Sequence, residues 1–322
     1  MLRLRSLPKG VLRAGVWQFS LSLRLCSRPQ EQLLVLPRCV VREFSVQPPL
    51  PPVLGGAAAP FSTDTAMDQL VEKGVAQGLR PTSQILASSF LGGAMLAWGG
   101  LLMTVVGGGC ADIMAPGAVA LIKGAVFPVG LSMITLSGSE LLTGNMLTQS
   151  LPPISGERAW PAGRVLGLSF LGNFAGSLTI ASMVWAGGIF PTSGVVAAKA
   201  AALALGKASL APSAAFVKGI GANWLVAIAI VQAQSAHTAP GKIAALWMPI
   251  MTFVALGLEH SVANMFLLPV GMLCGAEISA SQFWLNNMIP VLAGNMVGAV
   301  VFCGGAQRLT MGRQLKDFFH AK

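Results

Sequence analysis

From about residue 84 onward, long apolar runs alternate with short polar interruptions. Six runs approach or exceed the roughly 20 residues that an α-helix needs to cross a bilayer. They lie at about 84–107, 117–150, 165–190, 213–235, 243–273 and 286–306. The second and fifth are too long for one straight span, and polar residues interrupt both. Those interruptions repeat each other. Gly138, Glu140, Asn145 and Met146 recur with identical spacing as Gly257, Glu259, Asn264 and Met265, so GxExxxxNM occurs once in each broken run. A second echo follows in the next helix of each half, GNFAG at 172–176 and GNMVG at 294–298. The pattern predicts an all-α integral membrane protein with six transmembrane helices in two halves of three, the second and fifth helices broken. Three spans is an odd number, so the second half inserts upside down relative to the first, as an inverted 3+3 repeat.

Irregular backbone at membrane depth is tolerated only where protein or a water-filled cavity covers it. Both breaks are therefore expected at a central pathway. Glu140 and Glu259 are expected to support the breaks, satisfying unwound amides or capping the half-helices that follow, with Asn145 and Asn264 beside them. The alternative places a carboxylate in the route itself.

Composition sharpens the class. Hydrophobic residues make up 54% of the chain and charged residues 10%, and the mean hydropathy is +0.69, well above the soluble balance. The net charge of +10 looks like a nucleic-acid signal until it is located: eight of the 21 basic residues precede position 43. No nucleic-acid partner is implied. Rich in Arg, Ser and Leu and poor in acid, the first residues have the pattern of an organelle transit peptide. Arg42 to Ser45 resembles a mitochondrial processing site with cleavage after Phe44, and a Pro/Gly/Ala linker follows. The expected organisation is 1–60 as transit peptide and linker, 61–308 as membrane domain and 309–322 as a basic tail. Lys73, Arg80, Arg308, Arg313, Lys316 and Lys322 suggest that both termini share the positive side. The expected location is the mitochondrial inner membrane or the plastid inner envelope. Five cysteines without CxxC spacing suggest neither a disulfide framework nor a metal site, and no cofactor is implied.

His260 is the single histidine inside an expected span, and ionisable groups there are costly and usually functional. Among Leu256, Leu258, Val262 and Phe266 it should be neutral by default. A proton shared with a weak-acid anion would let that anion cross the apolar zone without a full charge. Lys207, ahead of the fourth span, could draw anions to one mouth, with Lys218 and Lys199 as further candidates. A solvated loop charge is the plainer reading, preferred for Lys199. Asn223 could donate to an anion or bond helix to helix. Phe127 and Phe253 lie in half-helices leading towards a break, where a ring could narrow the route.

FVALGLEHSVANMFLLPVGM (253–272), SGSELLTGNML (137–147) and GIGANWLV (219–226) resemble the formate/nitrite transporter family, in the family's order, over about residues 66–308. The resemblance implies an aquaporin-like bundle assembled as a homopentamer with one anion pathway per subunit. It places the family's central histidine on His260, its first-loop threonine on Thr143, its fourth-helix asparagine on Asn223 and the preceding lysine on Lys207. One constriction would be Phe127, Leu131 and Phe253, the other Leu141 and Leu142. Leu142 stands where many bacterial members have phenylalanine. The implied function is transport of nitrite or formate with a proton, the lipid bilayer being the other partner. An aquaporin-like pore for neutral solutes is the alternative, although paired NPA motifs are absent. A membrane enzyme would need clustered acids, histidines or cysteines, which the chain does not suggest.

Overall fold

The computed structural model describes residues 62–155, 161–190 and 194–310. The expected transit peptide, its cleavage site and most of the basic tail lie outside the described residues. Elsewhere the chain is helical: α1 Thr63–Leu79, α2 Thr82–Cys110, α3 Pro116–Val126, α4 Val129–Ser137, α5 Leu142–Ile154, α6 Ala162–Ala186, α7 Val195–Ala208, α8 Pro212–Ser235, α9 Ala239–Ala255, α10 Ser261–Leu273 and α11 Gln282–Thr310. Five stretches are long and apolar enough to cross a membrane: α2, Pro116–Ser137 (α3 with α4), α6, α8 and α11. The expected fifth span is a broken one, built from two shorter apolar helices, α9 and α10.

Both breaks have the same local cause. Gly138 (φ 69°) and Gly257 (φ 64°) adopt the left-handed conformation that ends a helix without a Cβ penalty. Ser139 N–H then donates to the Ile134 carbonyl, and Leu258 N–H to that of Phe253. Three residues beyond each glycine the backbone is extended, at Leu141 (φ −117°, ψ 125°) and His260 (φ −118°, ψ 118°). Each of these is the N-cap of the next half-helix, α5 and α10.

The repeat extends into the packing. α2 lies against α6, and α8 against α11. A methyl on Gly176 would approach the Phe90 carbonyl oxygen to 2.1 Å, and one on Gly294 would approach that of Phe216 equally closely. Glycine at these crossings lets the backbones touch, as close helix contacts in membranes require. Large apolar side chains such as Leu171, Met183, Trp185, Val217 and Met248 face outward. That face suits lipid rather than water. This is a multi-pass integral membrane protein.

Each half also carries a helix outside the six expected runs. α1 packs on α5 and α8, and α7 packs on α10 and α2, so each half adds one helix to its three expected spans. α1 buries Met67, Leu70, Gly74 and Gln77 along one stripe but keeps Glu72 and Lys73 outside. Its amphipathic pattern therefore averages to low hydropathy. The described ends meet on one side, where Arg308 lies 3.4 Å from Asp68 and donates to Ser155. Arg308 is buried, and Arg80 is bound to a buried carboxylate. Their charges are thus committed to packing as well as to the positive side.

Candidate functional site

Two asparagines hold the breaks, and they are the asparagines of the GN echo. Asn173 accepts from Leu142 N–H (2.7 Å) and donates to the carbonyls of Ser89 (2.6 Å) and Glu140 (3.0 Å). Asn295 repeats this on the other half, accepting from Ser261 N–H (2.9 Å) and donating to Gly219 (2.8 Å) and Glu259 (3.0 Å). Both are fully buried. Each amide thereby replaces the backbone partners lost where the helix unwinds.

The carboxylates do something other than the expected capping. Glu140 is bound by Arg80 (2.7 Å) and Gln77, and Glu259 by Lys207 (2.8 Å), Asn264 (2.7 Å) and Asn287 (3.1 Å). Asn145 completes the first cluster through Gln77 and Ser169. A buried carboxylate is tolerable only when paired with a cation and hydrogen-bonded, and that requirement outweighs capping here. The amides are left to the two asparagines, and to His260 for α10.

His260 sits at the centre, where α5 and α10 both begin. Its Nδ1 accepts from Ala263 N–H (3.1 Å), and its Nε2 lies 2.9 Å from Thr143 Oγ1. A ring nitrogen that accepts from a backbone N–H carries no proton. The partners therefore assign the neutral tautomer with hydrogen on Nε2, which donates to Thr143. The N-termini of two half-helices converge on this point, adding positive potential without a formal charge. Phe253 stacks on the imidazole with centroids 5.6 Å apart, and Phe127 meets Phe253 edge-on at 5.7 Å. Phe127, Leu131, Leu141, Phe253 and His260 line one void of about 10 Å³, about the room that one water needs. Leu142 does not line it: the side chain is buried and its N–H is held by Asn173.

A cavity opens on each side of the void. One, of about 300 Å³, is lined by Phe127, Lys123, Lys207, Lys218 and Glu259. The other, of about 100 Å³, is lined by Leu131, Leu141, Lys73 and Lys242. Phe127 is shared by the first cavity and the void, and Leu131 and Leu141 by the void and the second. The three cavities mark a route narrowed at two slits: lysine mouth, phenylalanine slit, His260, leucine slit, second lysine mouth. Lys207 ends α7 and is tied to Glu259, so it is neither a loop charge nor a free one. Lys199 pairs with Asp112 at 2.7 Å on the surface. Asn223 is buried beside the route, but its amide donates to the carbonyls of Thr143 (3.2 Å) and Asn295 (2.8 Å). It bonds helix to helix and has no N–H left for an anion.

Asn173, Asn295, Lys123, Gln77 and Asn287 are site residues to which the chain pattern alone assigns no role. For the first two the signal was present in the repeated GN pair.

Comparison with known proteins agrees with this geometry. The model of the formate/nitrite transporter family matches residues 64–308. A probable formate transporter of Methanothermobacter thermautotrophicus is 41% identical over 239 residues, covering 69% of this chain and 86% of the relative. A formate channel of Bacillus thuringiensis is 33% identical over 256 residues, covering 74% and 93%. Among solved structures, a pentameric formate channel with formate bound aligns with a TM-score of 0.64 at 27% identity, over 71% of this chain and 97% of that one. The match spans almost the whole described region, both broken helices included, and the chain belongs to the formate/nitrite transporter family.

Proposed function

We propose that each subunit moves small monovalent anions, nitrite or formate, together with a proton along the central route, and that the chain works as a homopentamer. The observation that carries the reading is a neutral histidine at the midpoint of an apolar constriction with a lysine-lined mouth on either side. Magnitudes decide in what form the substrate crosses. Stripping a carboxylate-sized ion of water costs several kcal/mol even after the protein relaxes, and ~20 kcal/mol in the ideal limit. Protonating an acid of pKa near 4 at pH 7 costs about 4 kcal/mol. The neutral acid is therefore the favoured form in the constriction.

Roles follow for this chain's residues. Lys207 draws the anion to its mouth and lowers the cost of concentrating it there. Phe127, Leu131, Phe253 and Leu141 exclude water and hydrated ions. Separating the Phe127–Phe253 pair costs about 1 kcal/mol, so the slit selects without sealing. At the centre, Nε2–H of His260 and the Thr143 hydroxyl replace hydration for the passing molecule. Nδ1 stays with Ala263, so the ring donates a hydrogen bond and the proton leaves with the substrate. Glu140, Glu259, Asn145 and Asn264 keep the breaks in place. Sulfur, metal or acyl chemistry has no part in this reading, and the protein acts as a transporter and not as an enzyme.

Residues 1–60 are proposed as a transit peptide and linker, 61–308 as the membrane domain and 309–322 as a basic tail. The location that follows is a mitochondrial inner membrane or a plastid inner envelope. Fused to a fluorescent protein, residues 1–60 should deliver it to one of these organelles, whereas a cytosolic signal would remove the import reading.

The transport reading is tested by nitrite and formate uptake into proteoliposomes holding residues 61–322, with and without an inward proton gradient. Uptake of at least one anion that rises with the gradient is expected. Flux of neither anion would exclude both substrates, and gradient-independent flux of both would make the protein an unselective channel.

A further inference from the structure

Lys207 is tied to Glu259, and two more lysines line the same cavity, Lys123 from α3 and Lys218 from α8. Lys123 is built into the wall. A methyl on Gly107 of α2 would approach its Cγ to 2.5 Å, so the absent side chain at 107 is what gives the lysine stem its place. Lys123 and Lys207 are also electrostatic neighbours. Glu259 is the single carboxylate among the lining residues, and its Oε1 is 2.8 Å from Lys207. Three ammonium groups less one carboxylate leave 3 − 1 = +2 around the cavity. With Lys207 paired to Glu259, a monovalent anion leaves 2 − 1 = +1 unmatched.

We infer that this mouth binds small dianions, of which short dicarboxylates are the fitting class, and that a bound dianion blocks passage from that side. The cavity of about 300 Å³ holds a molecule of three or four carbons, but the void behind Phe127 measures about 10 Å³. Size is the lesser obstacle. One proton neutralises formate or nitrite, whereas a dianion carrying one proton is still an ion and meets the full desolvation cost of the constriction. It lodges at the lysines and competes with the substrate for Lys207. The second mouth, with Lys73 and Lys242, is smaller, at about 100 Å³. Block is therefore expected to be one-sided. The binding half of this inference stands on the cavity alone, and the blocking half rests on the transport reading above.

The test is calorimetric titration of malonate, with acetate as the monoanion reference, into the purified full-length chain. Malonate should bind about tenfold or more tightly than acetate. Lys123→Gln and Lys218→Gln should each weaken it about tenfold or more, the scale of one charge-assisted hydrogen bond, while Lys123→Arg retains it and Lys73→Gln leaves it unchanged. Thermal melting of each variant checks that the fold is intact. Malonate binding no tighter than acetate, or unaffected by both glutamine variants, overturns the site. In proteoliposomes malonate on the Lys123 side should raise the apparent KM for formate without lowering the maximal rate. Normal formate flux despite bound malonate overturns the block. Absence of both formate and nitrite flux overturns the transport reading instead, and the titration still decides the site.

Discussion

His260→Asn slows anion uptake by about 5- to 150-fold, the rate equivalent of leaving a buried polar partner unpaired, while the membrane domain stays folded. The two effects separate because His260 does two jobs with two nitrogens. Nδ1 caps α10 by accepting from Ala263 N–H, and Nε2–H faces Thr143 at the centre of the route. Asparagine is among the best N-caps, so its oxygen can take over the first task. Its amide is too short to reach across to Thr143 and the passing acid, and the second task is lost. His260→Ala removes both, adding roughly 1 kcal/mol of lost capping to the same loss of flux. Uptake in proteoliposomes, read beside thermal melting in detergent, distinguishes the variants. An asparagine variant that transports within twofold of the parent would mean that the imidazole donor is not used.

Asn295→Asp is expected to destabilise the domain by about 3–5 kcal/mol, the scale of an uncompensated buried charge, although it changes no more than one amide nitrogen to oxygen. Asn295 donates to two carbonyls, of Gly219 and Glu259, and also receives Ser261 N–H. An ionised carboxylate would keep the acceptor and turn an oxygen on both carbonyls. Asn295→Ala forfeits three buried hydrogen bonds at about 0.6–1.7 kcal/mol each in a membrane bundle, near 2–5 kcal/mol together. Asn173 occupies the equivalent place in the other half, so Asn173→Asp should behave alike. Melting temperatures of the two aspartate variants close to that of the parent would show that the breaks do not depend on these amides.

What could be read from the sequence, and what could not, follows from the range of each interaction. The breaks were legible because GxExxxxNM repeats at fixed spacing and lies in runs too long for one span. Helix ends at Gly138 and Gly257 depend on local backbone preference, which one residue type announces. His260 stood out because it is the single histidine in the apolar runs, where an ionisable group is costly. The partners of Glu140 and Glu259 were different in kind. Arg80 is 60 residues from Glu140 and Lys207 is 52 from Glu259, and nothing local ties them together. Capping was the local alternative and therefore the one expected. Asn223 failed as an anion donor for the same reason, since the carbonyls that occupy it come from α5 and α11. α1 escaped notice because hydropathy averages over an amphipathic stripe, and α7 because its 14 residues are too few to span. Lys123 sits within an apolar stretch, and only the folded chain brings it to the cavity of Lys207. Leu142 had been placed at a constriction, yet its position at the start of α5 turns the side chain into packing.

The central claim is that the anion crosses as its neutral acid past a histidine that stays neutral. Its most direct test is to follow formate uptake and internal pH together in proteoliposomes containing residues 61–322. The account predicts one proton delivered per anion, a rate that falls about tenfold per pH unit above the acid's own pKa as the neutral species is depleted, and no response to membrane potential. Uptake driven by potential, with internal pH unmoved, would mean that the bare anion crosses and would contradict it.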